Sequence, residues 1–221
     1  MINILLESYD ITLPWLSEEL EKYLKPTCKV SIVAFSFRDS QIKNLEEWNK
    51  LYSKENGSYY KGIVNPLIFY GIKEENITFV NYFTDNEITA KEKIENSDVI
   101  YFLGGLPDKM MDRINEFELY DTILNYKGVI MGVSAGALIQ LAEYHLSPDK
   151  DYPKLVYFNG FPFINDFYLE VHYESTEEQN DAIKNVMATR NKTVYATLSC
   201  QGAIIVDNGK LKLLGQVKKL N

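Results

Sequence analysis

Arginine, histidine and cysteine are all scarce in this 221-residue chain, and each scarcity narrows what it can be. The two cysteines, Cys28 and Cys200, lie far apart and form no C-x-x-C arrangement, which rules out a disulfide scaffold and a cysteine-type zinc site. Positive charge is short as well: 23 Lys and Arg against 31 Asp and Glu leave a net charge of −8, the wrong sign for an electrostatic nucleic-acid binder. No apolar run approaches the roughly 18 residues of a membrane span. Glu7 and Asp10 interrupt the one apolar start, so no signal peptide is read there. The expectation is a cytoplasmic protein, in which the N-x-S/T triplets at Asn56, Asn76 and Asn191 carry no glycan. Internal repeats, low-complexity tracts and long linkers are absent, so one α/β domain over residues 1–221 is the economical reading.

What is present alternates. Short apolar runs at Ile2 to Leu6, Val30 to Phe35, Ile77 to Phe83 and Val99 to Leu103 read as buried strands. Between them lie amphipathic stretches. Pro14 to Lys25 has Thr12 as a candidate cap, and a second helix bearing Leu45, Trp48 and Leu51 is capped by Asp39 or Ser40. Ile63, Leu67 and Ile68 suit a short helix before Gly71. Near-continuous apolar strands alternating with helices predict a mainly parallel sheet covered on both faces. Thr193 to Leu198, Ala203 to Val206 and Lys210 to Gly215 extend it, the last two as a hairpin through Asn208-Gly209.

One stretch organises the rest. Val129 to Val133 runs into Gly132-Val133-Ser134-Ala135-Gly136, a G-x-S-x-G nucleophile elbow with a strand before it and a helical pattern after it. A serine held in so tight a turn needs neighbours without bulk, and the helix that follows points free N–H groups at any oxyanion formed on a substrate. Leu103-Gly104-Gly105-Leu106-Pro107 is a second glycine turn directly after a buried strand. In open α/β sheets ligands sit beyond the carboxyl ends of the strands, which places both turns on one edge. The Gly105 and Ala135 N–H groups are then candidate oxyanion donors.

A serine nucleophile needs a base, and the chain holds two histidines. His145 follows Ser134 by eleven residues, roughly 16 Å along the expected helix, and reads as a surface residue near that helix's end. His172 lies in the extended segment Phe167 to Glu174, before a helix at Thr176 to Ala188, and is the viable base. Asp149, Glu174, Asp166 and Asp151 are all candidates for the acid that orients it.

Together the glycine turn, the elbow and a histidine 38 residues after the serine resemble the peptidase E (aspartyl dipeptidase) family, to which cyanophycinase is related. Glu177-Glu178-Gln179-Asn180, Tyr195-Ala196-Thr197-Leu198 and Gly202 to Lys210 extend the resemblance over most of the chain. The resemblance implies a class I glutamine amidotransferase-like fold, with Ser134 as nucleophile, His172 as base and Asp149 as the acidic partner. The chain departs from the family pattern at Leu103 and Leu106, where glycine and asparagine are usual, and at Val171, where proline is common. The arginine expected soon after the histidine is replaced by Glu177 and Glu178.

The function expected is therefore a serine-type peptidase acting on a short peptide through an acyl-enzyme, with no cofactor and no metal. The alternative is a noncatalytic amidotransferase-like module that binds a small molecule or partner in the same cleft. A glutaminase is disfavoured, because that chemistry puts cysteine at the elbow. A homodimer stays open. Of the three arginines, Arg113 and Arg190 read as surface charge, and Arg38, after the second strand, is the one placed to reach a substrate carboxylate. With Glu174, Glu177 and Glu178 near His172, neutral or basic peptides are expected to serve better than Asp-X.

Overall fold

A computed structural model describes residues 1–220, apart from the side chains of residues 199 and 200. Five apolar segments form the parallel heart of the sheet: β1 (Ile2–Leu6), β2 (Val30–Val33), β3 (Ile77–Val80), β4 (Val99–Phe102) and β5 (Val129–Val133). Their order is β1-β5-β4-β2-β3, and the antiparallel pair β9 (Thr193–Asp207) and β10 (Lys210–Leu220) continues it beyond β1. The hairpin turns at Asn208-Gly209 as expected, with both residues at positive φ. β8 (Phe167–Glu170) lies parallel to the first part of β9, completing an eight-stranded sheet.

Alternating side chains of the parallel strands feed two cores. Ile4, Leu6, Tyr101, Met131 and Val133 pack against α1 (Pro14–Leu20), α2 (Leu45–Tyr52) and α3 (Tyr60–Phe69). Leu5, Ile100, Phe102 and Ile130 pack on the other face against α4 (Glu87–Glu95), α5 (Pro107–Glu116), α6 (Tyr120–Leu124) and α7 (Ala135–Leu138). Burial on both faces explains why these strands read as unbroken apolar runs. α8 (Glu177–Arg190) covers a smaller cluster with Tyr168, Tyr173 and Val194.

Several local expectations are corrected. The helix after the elbow does not run to His145 but stops after four residues. The backbone beyond it pairs elsewhere: the Ile139 and Gln140 carbonyls accept from Phe161 and Ile164, and Ala142 donates to Ile164. Those tertiary bonds override a sequence with good helix propensity. The chain then forms a hairpin that the sequence pattern did not reveal, β6 (Glu143–Leu146) with β7 (Val156–Asn159). His145, in β6, is buried rather than on the surface, with Nε2 2.7 Å from Glu170 Oε2. Asn44 caps α2, its side chain accepting from the Glu47 N–H, in place of Asp39 or Ser40. Thr12 bonds Asp10 instead of capping α1. Arg113 is also buried: it donates to the Phe35 and Phe37 carbonyls, pairs with Asp39 at 2.5 Å and lies over the Phe37 ring.

Candidate active site

Three neighbouring strands deliver three parts of one site. In the register of β1, β5 and β4, Leu6 stands opposite Val133, and Phe102 opposite Gly132. The next residues along each strand, Glu7, Ser134 and the Gly104-Gly105 turn, therefore emerge side by side at the carboxyl edge. Ser134 sits at φ 52° and ψ −110°, a conformation that costs a non-glycine residue about 1–3 kcal/mol. Its backbone is pinned by a bond from the Ser134 N–H to the Leu6 carbonyl at 2.9 Å. The elbow's two glycines are required by close approach. A Cβ on Gly132 would stand 2.0 Å from the Gly136 oxygen, and one on Gly136 would stand 2.3 Å from that of Phe102.

The fourth part arrives from the far side of the sheet. β8 pairs with β9, and β9 pairs with β1, so the end of β8 brings His172 above Glu7. His172 Nε2 is 2.8 Å from Ser134 Oγ, and Nδ1 is 2.6 Å from Glu7 Oε1. The Glu7 carboxylate also accepts the His172 backbone N–H, at 3.0 and 3.1 Å, and the Thr197 hydroxyl. His172 has a positive φ of 54°, and the start of α8 holds it there. Gln179 donates to the His172 carbonyl at 2.9 Å and accepts from the Glu174 N–H at 2.8 Å, while Asn180 accepts from the Tyr173 hydroxyl.

The electrostatics follow from this geometry. The hydrogen bond to Glu7 raises the His172 pKa above its usual value, against an opposing effect of burial, and the charges of Glu7, Glu170 and Glu174 add to the rise. Burial alone would raise the Glu7 carboxyl, but its bonds to His172 and Thr197 and the nearby imidazole charge together hold it below the usual range. A carboxylate that accepts from Nδ1 sets the tautomer in which Nε2 is free to take the serine proton.

The glycine turn is locked from both sides. The Gly104 N–H donates to the Tyr9 hydroxyl at 2.7 Å, and the Gly104 carbonyl accepts from Ser36 Oγ at 2.6 Å. In a trans peptide the following N–H is antiparallel to that carbonyl, so the Gly105 N–H is held pointing away from Ser36. Gly105 adopts φ 143°, where a Cβ would stand 2.3 Å from the Ser36 oxygen, so only glycine fits. The Ala135 N–H opens α7 and has no acceptor within that helix. With only four residues, α7 offers local N–H groups rather than a long helix dipole.

The structure brings Ser134, His172, Gly105 and Ala135 together around a cleft of about 790 Å³ that Arg38, Asp149 and Glu174 also line. It places Glu7, not Asp149, against the histidine ring. The Asp149 carboxylate instead closes a turn, accepting the Asp151 and Tyr152 N–H groups at 2.8 and 2.7 Å. Arg38 faces the cleft, but its guanidinium is taken by Asp151, with Nε 3.1 Å from Oδ1 and a second, shorter contact. Asp166 lines a different cavity, near Met1 at the amino end of β1. Among the described residues no group of three or more His, Cys, Asp and Glu side chains could hold a metal ion, and no helix is long and apolar enough to cross a membrane.

The sequence reading missed Glu7, Thr197 and Ser36. Glu7 carried a usable signal: it is an acidic residue directly after a buried strand, the position where open α/β sheets bind ligands.

Solved structures share this fold. One, assigned as a peptidase E protein from Listeria monocytogenes EGD-e, superposes with a TM-score of 0.66 at 18% identity, covering 100% of this chain and 98% of the other. A peptidase from an acI-B1 actinobacterium gives 0.65 at 16% identity, covering 100% and 93%. At such identities the likeness speaks to the fold alone. A search of the curated proteins gave no match. The model of peptidase family S51 matches residues 54–214, a stretch that holds Ser134, His172 and Gly105 and leaves Glu7 outside. The match spans well over half of the sequence, and the chain belongs to peptidase family S51, a family of serine peptidases.

Proposed function

We propose that the chain hydrolyses short peptides through an acyl-enzyme, with Ser134 as nucleophile, His172 as general base and Glu7 as the orienting carboxylate. The observation that carries this is the continuous chain of hydrogen bonds from Ser134 Oγ through the imidazole to Glu7. In the first step Ser134 Oγ bonds to the scissile carbonyl carbon while its proton passes to His172 Nε2. The carbonyl oxygen becomes an oxyanion facing the Gly105 and Ala135 N–H groups. Collapse of that intermediate breaks the C–N bond, and the leaving amine takes the proton from His172. Water then attacks the ester by the same route, returning the proton to Ser134.

Acidic side chains are poor substrate groups in this reading. Glu7, Glu170 and Glu174 surround His172, and of the two cations that line the larger cleft, Arg38 is already paired with Asp151 and Lys150 faces the charge of the same carboxylate. Neutral and basic peptides fit better.

The test is a fluorophosphonate probe with peptide turnover measured beside it. The parent should be labelled at Ser134, and Ser134→Ala should lose labelling and about 10⁶ in turnover. An alanine variant as active as its parent refutes the role of Ser134. A folded parent that is neither labelled nor active points to a noncatalytic binding module.

A further inference from the structure

A second cleft, of about 580 Å³, meets the first at Gly105, Ser134 and His172. Its chemistry is different. Tyr9, Tyr52, Tyr59, Ile63 and Val133 make an apolar wall, and among the described residues no lysine or arginine lines it. Its one carboxylate, Glu7, is turned towards His172 and Thr197. The wall is firmly backed. Tyr52 packs on Trp48 and Phe79 at centroid distances of 5.1 and 6.1 Å, and Tyr9 meets Tyr101 edge-on. Tyr59 stands edge-on to Tyr52 at 6.1 Å and is 55% exposed. A large ring left in water beside a reactive serine is apolar surface that a bound group could cover. Gly62, in the first turn of α3, also lines the cleft, and a Cβ built there meets nothing within 4 Å.

We propose that this tyrosine-lined cleft is the side-chain specificity pocket of the peptidase and takes an aromatic residue of the substrate adjoining the scissile bond. The assignment rests on the peptidase reading, because it places the pocket by its contact with Ser134. An aromatic side chain would meet three tyrosine rings in edge-to-face or offset geometry and shed its water against apolar carbon. A carboxylate entering the same space would lose its hydration with no cation to receive it. Gly62 leaves open space at the lining of this cleft, so a side chain added there is the substitution that tests whether the volume receives the substrate ring. Burial of a phenylalanine-sized group is expected to raise kcat/KM on the order of 10- to 100-fold over alanine.

Parent, Gly62→Ala and Gly62→Leu proteins would be compared on Ala-Ala, Phe-Ala, Ala-Phe and Asp-Ala. The readout is the ratio of kcat/KM for the better aromatic dipeptide to that for Ala-Ala. It should exceed tenfold in the parent, fall part-way in Gly62→Ala and approach one in Gly62→Leu, with Asp-Ala slowest in the parent. Thermal melts establish folding, and if Gly62→Leu does not fold, the alanine variant carries the comparison. A parent ratio near one overturns the pocket assignment, as does a ratio untouched by filling Gly62. Fluorophosphonate labelling of Ser134 separates the two levels. Labelling without an aromatic preference sinks the pocket alone, whereas an unlabelled, inactive parent sinks the peptidase reading and the pocket with it.

Discussion

Replacing Glu7 by glutamine keeps the volume of the side chain and removes its charge, and the hydrogen bonds around it say what must follow. The carboxylate accepts from the His172 ring, the His172 backbone N–H and the Thr197 hydroxyl. An amide has two ways to sit among these donors. With its NH₂ towards the ring, Nδ1 must become an acceptor, the proton moves to Nε2, and His172 can no longer accept from Ser134. With its oxygen towards the ring the tautomer survives, but the imidazolium formed during reaction loses its counter-charge. A wrong tautomer costs on the order of 10⁴ in serine proteases. The His172 side chain is 54% exposed, so solvent screening should soften the loss of charge. The expected fall in kcat/KM is about 10³, which corresponds to roughly 4 kcal/mol of transition-state stabilisation.

The same substitution has a signature in pH. Catalysis needs neutral His172, and Glu7 raises its pKa, so activity fails on the acid side below that raised value. Glu7→Gln should move this limb to lower pH while lowering the plateau. Stability has the opposite dependence at its upper end. His172 has a folded pKa above its unfolded value of about 6.5, so its contribution is complete below that and fades as pH rises through the raised value. Glu7 has a folded pKa below its unfolded value, so its contribution is lost as pH falls through the lowered value. Melting temperatures of parent and variant should therefore differ most at about pH 5–6. A Glu7→Gln enzyme within threefold of the parent, with its acid limb unmoved, refutes the reasoning.

Two further expectations concern the rest of the site. Ser36→Ala frees the Gly104 carbonyl and loosens the peptide that aims the Gly105 N–H, so kcat should fall about tenfold with little change in KM, a fraction of the 10²–10³ that losing an oxyanion donor costs. A steady-state comparison on one neutral dipeptide decides it, and an unchanged kcat removes Gly105 from the oxyanion site. On matched Asp-Leu, Ala-Leu and Lys-Leu, the kcat/KM for Asp-Leu should be the lowest, by about tenfold or more. A preference for Asp-Leu by that factor would mean that a cation of the cleft, Arg38 released from Asp151 or Lys150, binds the substrate carboxylate.

The parallel strands, the elbow and the glycine turn were legible because each is set by local rules: apolar runs buried on both faces, and glycines where a Cβ has no room. His172 was legible by elimination, as one of two histidines. Glu7 was legible only as an acid after a buried strand; its pairing with His172 was not, because the two lie 165 residues apart and only the insertion of β1 between β5 and β9 brings them together. The same holds for Arg113. Mid-helix it reads as surface charge, yet tertiary packing supplies it with two carbonyls, a carboxylate and an aromatic face. The helix predicted through His145 failed for a related reason, since backbone bonds to residues 161 and 164 outweigh local propensity.

The order of strands fixes when the site comes into being. In the sheet, β8 is hydrogen-bonded to β9, and β9 in turn to β1. A growing chain that has emerged as far as α8 already holds its serine, histidine and glutamate, and it still lacks the strand that docks one against the other. Only when residues 193–207 slot in beside β1 does the histidine settle over the carboxylate. Assembly thus carries its own delay: the proposed centre waits on a strand made after all three of its side chains, and a chain cut short before β9 should lack the contact between His172 and Glu7.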